Sequence, residues 1–234
     1  MFHGKVRAVG FDADDTLWVN EPFFDQAKAE VAEMMSVHLP SEKFLEVLEK
    51  TLSRNIKSFG YGVKNFVISM IDAANQVAPG NVKSSEIERM IDLGRAMLFN
   101  PVELIEGVEE VLQTLGSSYE LLMITKGDVA EQQRKIDLSG MAEYFDHIEI
   151  LTEKDGAAYE SILRKHSIGH EEFLMVGNSV KSDILPVVTI GGSAVHIPFH
   201  TTWVNEVVCD GELCGREYVE ISEVSELLPL LIYS

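Results

Sequence analysis

Cysteine is nearly absent: the 234 residues contain two, Cys209 and Cys214, both inside "CDGELC". No nearby histidine or second cysteine pair completes a tetrahedral zinc site, so free thiols in a reducing compartment are expected rather than a disulfide or a metal. Long apolar runs are missing too. No stretch approaches the ~20 uninterrupted apolar residues of a membrane span. "MFHGKVR" lacks the apolar run of a signal peptide, so the expected location is cytoplasmic. Positive charge is scarce, with 19 Lys and Arg against 38 Asp and Glu and a net charge of −19. Such a chain repels nucleic acid and anionic lipid, which excludes both as expected partners. A small anionic substrate stays open, because a metal and one well-placed lysine can reverse a local field. No repeat or low-complexity segment interrupts the sequence.

What is present is apolar periodicity of two kinds. Val6, Ala8, Val9 and Phe11 read as a strand buried on both faces that ends at Asp12. Helical spacing then runs through "FFDQAKAEVAEMMSVHL", "EKFLEVLEKTLSRNI", "VKNFVISMIDAANQVA" and "SEIERMIDLGRAMLF", the last with a capping box expected from Ser85 to Glu88. After "NPVELIEG" strands and helices alternate: a helix over 108–115, the strand "YELLMIT", a helix after Asp128, the strand "HIEIL", a helix around "AAYESILRKH", the strand "FLMVGN", a helix near Asp183 and the strand "SAVHIP". This alternation predicts an α/β fold with a doubly wound, Rossmann-like parallel sheet. The strand-free block is an inserted all-helical domain over 21–100, and 1–20 with 101–234 form the core. Hinges are expected near Asn20 to Pro22 and Asn100 to Leu104.

Within "VGFDADDTLW" three aspartates stand in four positions directly after a buried strand. Carboxylates that close repel unless a cation or a charge-consuming reaction compensates. In open α/β sheets ligands bind at the carboxyl ends of strands, and four strand ends here carry polar groups. They are Asp12, Asp14 and Thr16; Thr125, Lys126 and Gly127; Lys154; and Gly177, Asn178, Ser179 and Asp183.

These groups resemble, in order and spacing, the four motifs of the haloacid dehalogenase (HAD) superfamily of phosphohydrolases. Its hhhDxDxT motif matches at Asp12, Asp14 and Thr16, its strand ending in Ser or Thr at Thr125, its lysine at Lys154 and its G-D-S…D motif at Gly177, Ser179 and Asp183. The helical insertion sits where capped members carry theirs. The resemblance implies a Mg²⁺-dependent phosphatase acting on a small phosphorylated metabolite such as a nucleotide, a sugar phosphate or phosphoglycolate. Asp12 would attack phosphorus to give an aspartyl phosphate, and Asp14 would be the general acid and then the base. Neighbouring negative charge is expected to favour a proton on Asp14. The metal would take the Asp12 carboxylate, the Asp14 carbonyl and the fourth motif, Asn178 or Asp183. Lys154 would neutralise Asp12 and the phosphoryl group. Thr16, Thr125 and backbone N–H groups near Asp14, Lys126 and Gly127 would hold substrate.

Two departures stand out. Asn178 replaces the usual Asp, and no proline follows Lys154, which leaves Lys126 and Lys181 as its rivals. Asp15 is expected to face solvent or cap the turn. In "SFGYGVKNF" the glycines around Tyr61 mark either a plain interhelical turn or a specificity loop in which Tyr61 or Lys64 meets the leaving group. His196 and His200 flank Pro198, which breaks the helix that would align them, and "EISEVSELL" reads as a solvated last helix. A dehalogenase does not need Asp14. A phosphonatase would need a lysine such as Lys57 or Lys64, a phosphomutase would share Asp12 and Asp14, and a weakened phosphate-binding member would find support in Asn178. Response-regulator receivers are about half this length and phosphorylate a middle strand. The assembly is expected to be a monomer or homodimer.

Overall fold

The computed structural model describes residues 6–201, 203 and 217–232; Cys209 and Cys214 lie outside them. The chain divides into two compact units, Met1–Val19 with Val102–Ser234, and Asn20–Pro101.

The first unit is built on six parallel strands: β1 (Ala8–Phe11), β2 (Glu120–Lys126), β3 (His147–Leu151), β4 (Phe173–Gly177), β5 (Ser193–His196) and β6 (Val219–Glu220). Their order across the sheet is β3-β2-β1-β4-β5-β6. Every residue of β1 is buried, as expected of a strand covered on both faces. Alternation assigns the faces. Val9, Phe11, Leu121, Met123, Leu174 and Val176 share a cluster with apolar residues of three helices, α5 (Val108–Leu115), α6 (Val129–Ser139) and α9 (Leu227–Leu231). Ala8, Leu122, Ile124, Phe173 and Met175 pack with Tyr159, Ile162 and Leu163 of α7 (Gly156–Lys165) and Val187 of α8 (Leu185–Thr189). A one-residue slip would exchange the two sets, so the register is tightly specified. Because β2 and β4 flank β1, the winding reverses there, and the crevice opens at the carboxyl ends of these three strands.

Short polar caps start the helices beneath that crevice. The Asp128 carboxylate accepts the Glu131 N–H at 3.1 Å, and Asp155 accepts the Ala158 N–H at 2.8 Å. After β4 the chain makes one wide π turn, Val180–Ile184, before α8, a rare geometry that clusters at functional sites.

The segment "EISEVSELL" is not a solvated helix. Ile221, Val224 and Leu227, three apart, are buried in the main core, and a single 3₁₀ turn over Val224–Glu226 leads into α9. Burial of these three apolar side chains outweighs the acidic positions between them.

The second unit contains four helices, α1 (Glu21–Met34), α2 (Ser41–Phe59), α3 (Val63–Val77) and α4 (Ser84–Phe99). Phe44, Leu48 and Leu52 of α2 and Phe66, Met70, Ala73 and Ala74 of α3 are buried at helical spacing. A buried polar seam accompanies them: Asn55 Nδ2 donates to Ser69 Oγ at 3.0 Å, and Ser69 Oγ donates to Asn65 Oδ1 at 3.2 Å. The α2–α3 turn uses positive φ at Gly60 (73°) and Gly62 (100°), where a side chain would be strained. The cap of α4 lies ahead of the expected Ser85–Glu88 box, for the helix begins at Ser84. Glu86, three residues after Lys83, reaches back to the Lys83 N–H at 2.8 Å. Among the described residues no helix is long and apolar enough to cross a membrane.

Candidate active site

The end of β1 is shaped by its backbone. The Asp12 N–H still pairs with Val176 O at 2.9 Å, and the chain then turns so that Leu17 N–H reaches Ala13 O at 2.8 Å. Asp15 takes up the left-handed conformation this turn needs (φ 62°), which Asp tolerates better than most residues. It does not face solvent: only 7 % of its surface is exposed, because the turn folds it inward.

Asp12, Lys154 and Asp183 form the charged centre. Lys154 Nζ lies 2.5 Å from Asp12 Oδ1 and 2.7 Å from Asp183 Oδ1, and all three residues are buried. Lys181 is exposed, and Lys126 Nζ is directed to Ser182 Oγ at 2.9 Å, so neither rival occupies the Lys154 position. Burial raises the Asp12 carboxyl to about 7; the Lys154 charge opposes this, and the Asp183 and Asp14 carboxylates add to it. Burial works against the Lys154 charge, yet Asp12 and Asp183 hold its pKa above the usual lysine range. Asp183 is fixed from behind by the Ser179 N–H on Oδ2 at 3.0 Å. Gly177 is required beside it, since a Cβ there would stand 2.3 Å from Asp183 Oδ2.

Thr16 joins the first and fourth strand ends. Its Oγ lies 3.3 Å from Asp12 Oδ2 and 3.4 Å from Asn178 Oδ1, and it accepts the Asn178 N–H at 3.1 Å. His196 stands behind this loop, with Nε2 3.1 Å from Asn178 O and Nδ1 3.0 Å from Glu220. Thr125 is 1 % exposed and among the described residues its Oγ1 meets no hydrogen-bond partner, a buried hydroxyl left available for a ligand.

Asp14 corrects the expectation of a protonated acid. Trp18 Nε1 donates to Oδ1 at 2.7 Å, Gln132 Nε2 to Oδ2 at 2.9 Å, and Lys135 Nζ is 2.7 Å from both oxygens. Burial pushes this carboxyl up, but the Lys135 charge and the three donors outweigh it and hold the pKa below the ordinary value. Lys135 and Gln132 escaped the sequence reading. Their one signal is position: they lie three residues apart on α6, directly after the Asp128 cap.

Gly127 is also corrected. Its N–H is already engaged by Leu151 O at 2.9 Å, so it is not a free donor for substrate. Its contribution is space: φ is 155°, and a Cβ would come within 2.8 Å of Gln132 Nε2. Tyr61, half-buried in the α2–α3 turn, and Lys64, exposed in the first turn of α3, belong to the second unit; Lys57 is exposed near the end of α2.

The donors at the strand ends fit a hard divalent cation. Asp12, Asp183, Asn178 and the Asp14 carbonyl all offer oxygen donors, and two buried carboxylates share one lysine, which leaves negative charge in excess. Among the described residues no group of three His, Cys, Asp or Glu is gathered for a metal.

No curated protein shows significant similarity to this chain. A haloacid dehalogenase-like hydrolase from Xanthomonas campestris is 34 % identical, with a TM-score of 0.83 over 95 % of this chain and 89 % of its own. A 2-haloacid dehalogenase from Pseudomonas syringae pv. Tomato is 20 % identical (TM-score 0.60, 97 % of this chain and 99 % of its own). A HAD phosphatase from Thermococcus onnurineus is 19 % identical (TM-score 0.64, 97 % and 98 %). The last two share the fold with this chain but name different chemistries. The family model for haloacid dehalogenase-like hydrolases matches residues 6–187, and with the Xanthomonas relative it shows that this chain belongs to that family.

Proposed function

We propose that the protein is a Mg²⁺-dependent phosphatase that cleaves a small phosphorylated metabolite through an aspartyl phosphate on Asp12. The observation that carries this reading is the pair of distinct carboxylates at one strand end. Asp12 is bound to a buried lysine, while Asp14 is held in a separate set of donors. A dehalogenase has a use for the first carboxylate alone. The second is what phosphate ester cleavage needs, because an alkoxide leaves poorly without a proton.

In this reading Asp12, kept in place by Lys154, attacks phosphorus; the P–O bond to the alcohol breaks and the leaving oxygen takes a proton from Asp14, which is ionised in the free protein and takes that proton up from the incoming phosphate monoanion. Asp14 then removes a proton from water, which attacks the phosphorus of the aspartyl phosphate and releases phosphate and free Asp12. The orphaned Thr125 hydroxyl supplies a hydrogen bond to a phosphoryl oxygen, and Lys154 offsets its charge. Mg²⁺, held by Asp12, the Asp14 carbonyl, Asn178 and Asp183, would supply charge neutralisation for the phosphoryl oxygens. Tyr61 and Lys64 are proposed to contact the leaving group.

The test is release of inorganic phosphate from a panel of phosphorylated metabolites, with and without Mg²⁺, by the wild type and Asp12→Asn. Metal-dependent release lost in the variant is expected; equal release by the variant overturns the assignment of the nucleophile.

A further inference from the structure

We infer that Lys135 and Gln132 of α6 are the positioning residues that aim Asp14, and that they tie its placement to the end of β2 where Thr125 lies. The inference rests on the phosphatase reading above.

Its basis is the shell around one carboxylate. Trp18 belongs to the same loop as Asp14, and with no exposed surface it is locked by the core. By itself it would fix one oxygen and leave the group free to swing. The other contacts come from a different element. Gln132 is 3 % exposed, and its Nε2 is shared between Asp14 Oδ2 and the Lys126 carbonyl, each at 2.9 Å. One amide therefore measures the distance from the β1 loop to the end of β2. Its orientation is set by those two acceptors, and among the described residues its Oε1 is buried without a partner. The absence of a side chain at Gly127 makes the room for it. Lys135, three residues further along the same helix face, closes on both Asp14 oxygens.

An acid and base must stand within hydrogen-bond reach of the leaving oxygen, and small misplacements are expensive. Lys135 and Gln132 do this for Asp14 through its carboxylate, without any demand that they touch substrate. The sensitive quantity is then how far the rate depends on the leaving group. Aryl phosphates need little protonation on departure, whereas alkyl phosphates need it fully.

The experiment compares the wild type with Lys135→Met, Lys135→Arg and Gln132→Leu on p-nitrophenyl phosphate and on an alkyl phosphate hydrolysed by the wild type. Expected for Lys135→Met and Gln132→Leu is a tenfold or greater fall in kcat on the alkyl ester, a much smaller fall on the aryl ester, unchanged KM, and partial recovery in Lys135→Arg. Equal losses on both esters, or none, overturn the positioning role while leaving the phosphatase reading intact. A second measurement is independent of turnover: a double-mutant cycle of Asp14→Asn and Lys135→Met on the unfolding equilibrium. A coupling near tenfold supports the pairing, and additive effects overturn it. If the wild type hydrolyses no aryl or alkyl phosphate offered, so that no such pair of esters can be chosen, although the coupling is present, the phosphatase reading fails and the role of Lys135 and Gln132 in it falls too.

Discussion

Replacing the proposed nucleophile should stabilise the metal-free protein at pH 8. Asp12 and Asp183 are buried around one lysine, so with all three ionised the cluster carries one uncompensated negative charge. The Asp12 carboxyl is raised from 3.8 to about 7, first by burial. Between those values the folded state binds the proton more tightly than the unfolded chain, so stability is lost as pH rises from about 4 to 7 and is level above. Some three units at about 1.4 kcal/mol each bound the loss at about 4 kcal/mol. Asp12→Asn removes the charge and leaves a neutral Lys154–Asp183 pair, but forfeits a charge-assisted hydrogen bond worth about 1.5–3 kcal/mol. A net gain of about 1–3 kcal/mol is therefore expected at pH 8, shrinking or reversing by pH 5. Urea unfolding in EDTA at both pH values, followed by tryptophan fluorescence because Trp18 is wholly buried, measures it. A wild type as stable as the variant at pH 8, or a difference that does not change with pH, refutes the charge argument.

Other substitutions probe the same centre. Thr125→Val should raise the unfolding midpoint of the ligand-free protein, by the ~1 kcal/mol or more that an orphaned hydroxyl costs, and should weaken inorganic phosphate binding in titration calorimetry. Lys154→Met leaves two buried carboxylates facing each other and should cost about 3–5 kcal/mol in equilibrium unfolding at neutral pH, with part of the loss recovered in acid as Asp12 takes up a proton. Asn178→Asp adds a carboxylate to the oxygen donors and should tighten Mg²⁺ binding at least severalfold by calorimetry; unchanged affinity would remove position 178 from the ligand set.

Much of the fold was legible because its signals are local. A four-residue strand buried on both faces must be continuously apolar, and helices of the second unit must repeat at three and four, so both kinds of element could be located from spacing alone. The order of Asp12, Thr125, Lys154 and Asp183 was legible for a related reason: in a parallel sheet each strand end delivers its next residues to one crevice, and the sequence shows where each strand stops. The buried face of "EISEVSELL" was missed because its acidic composition concealed an apolar residue at every third position.

What the sequence determined by itself is which groups arrive at the crevice. What only the tertiary structure decided is their electrical state and their partners. Repulsion between near neighbours pointed to a proton on Asp14, yet Lys135, distant in sequence, brings a positive charge to 2.7 Å and reverses the balance. Gly127 likewise looked like a donor until its N–H was found on Leu151 and its empty side filled by Gln132. Coulombic and steric terms depend on distance through space, and contacts more than a hundred residues apart along the chain follow from how the helices pack on the sheet, which no local pattern encodes.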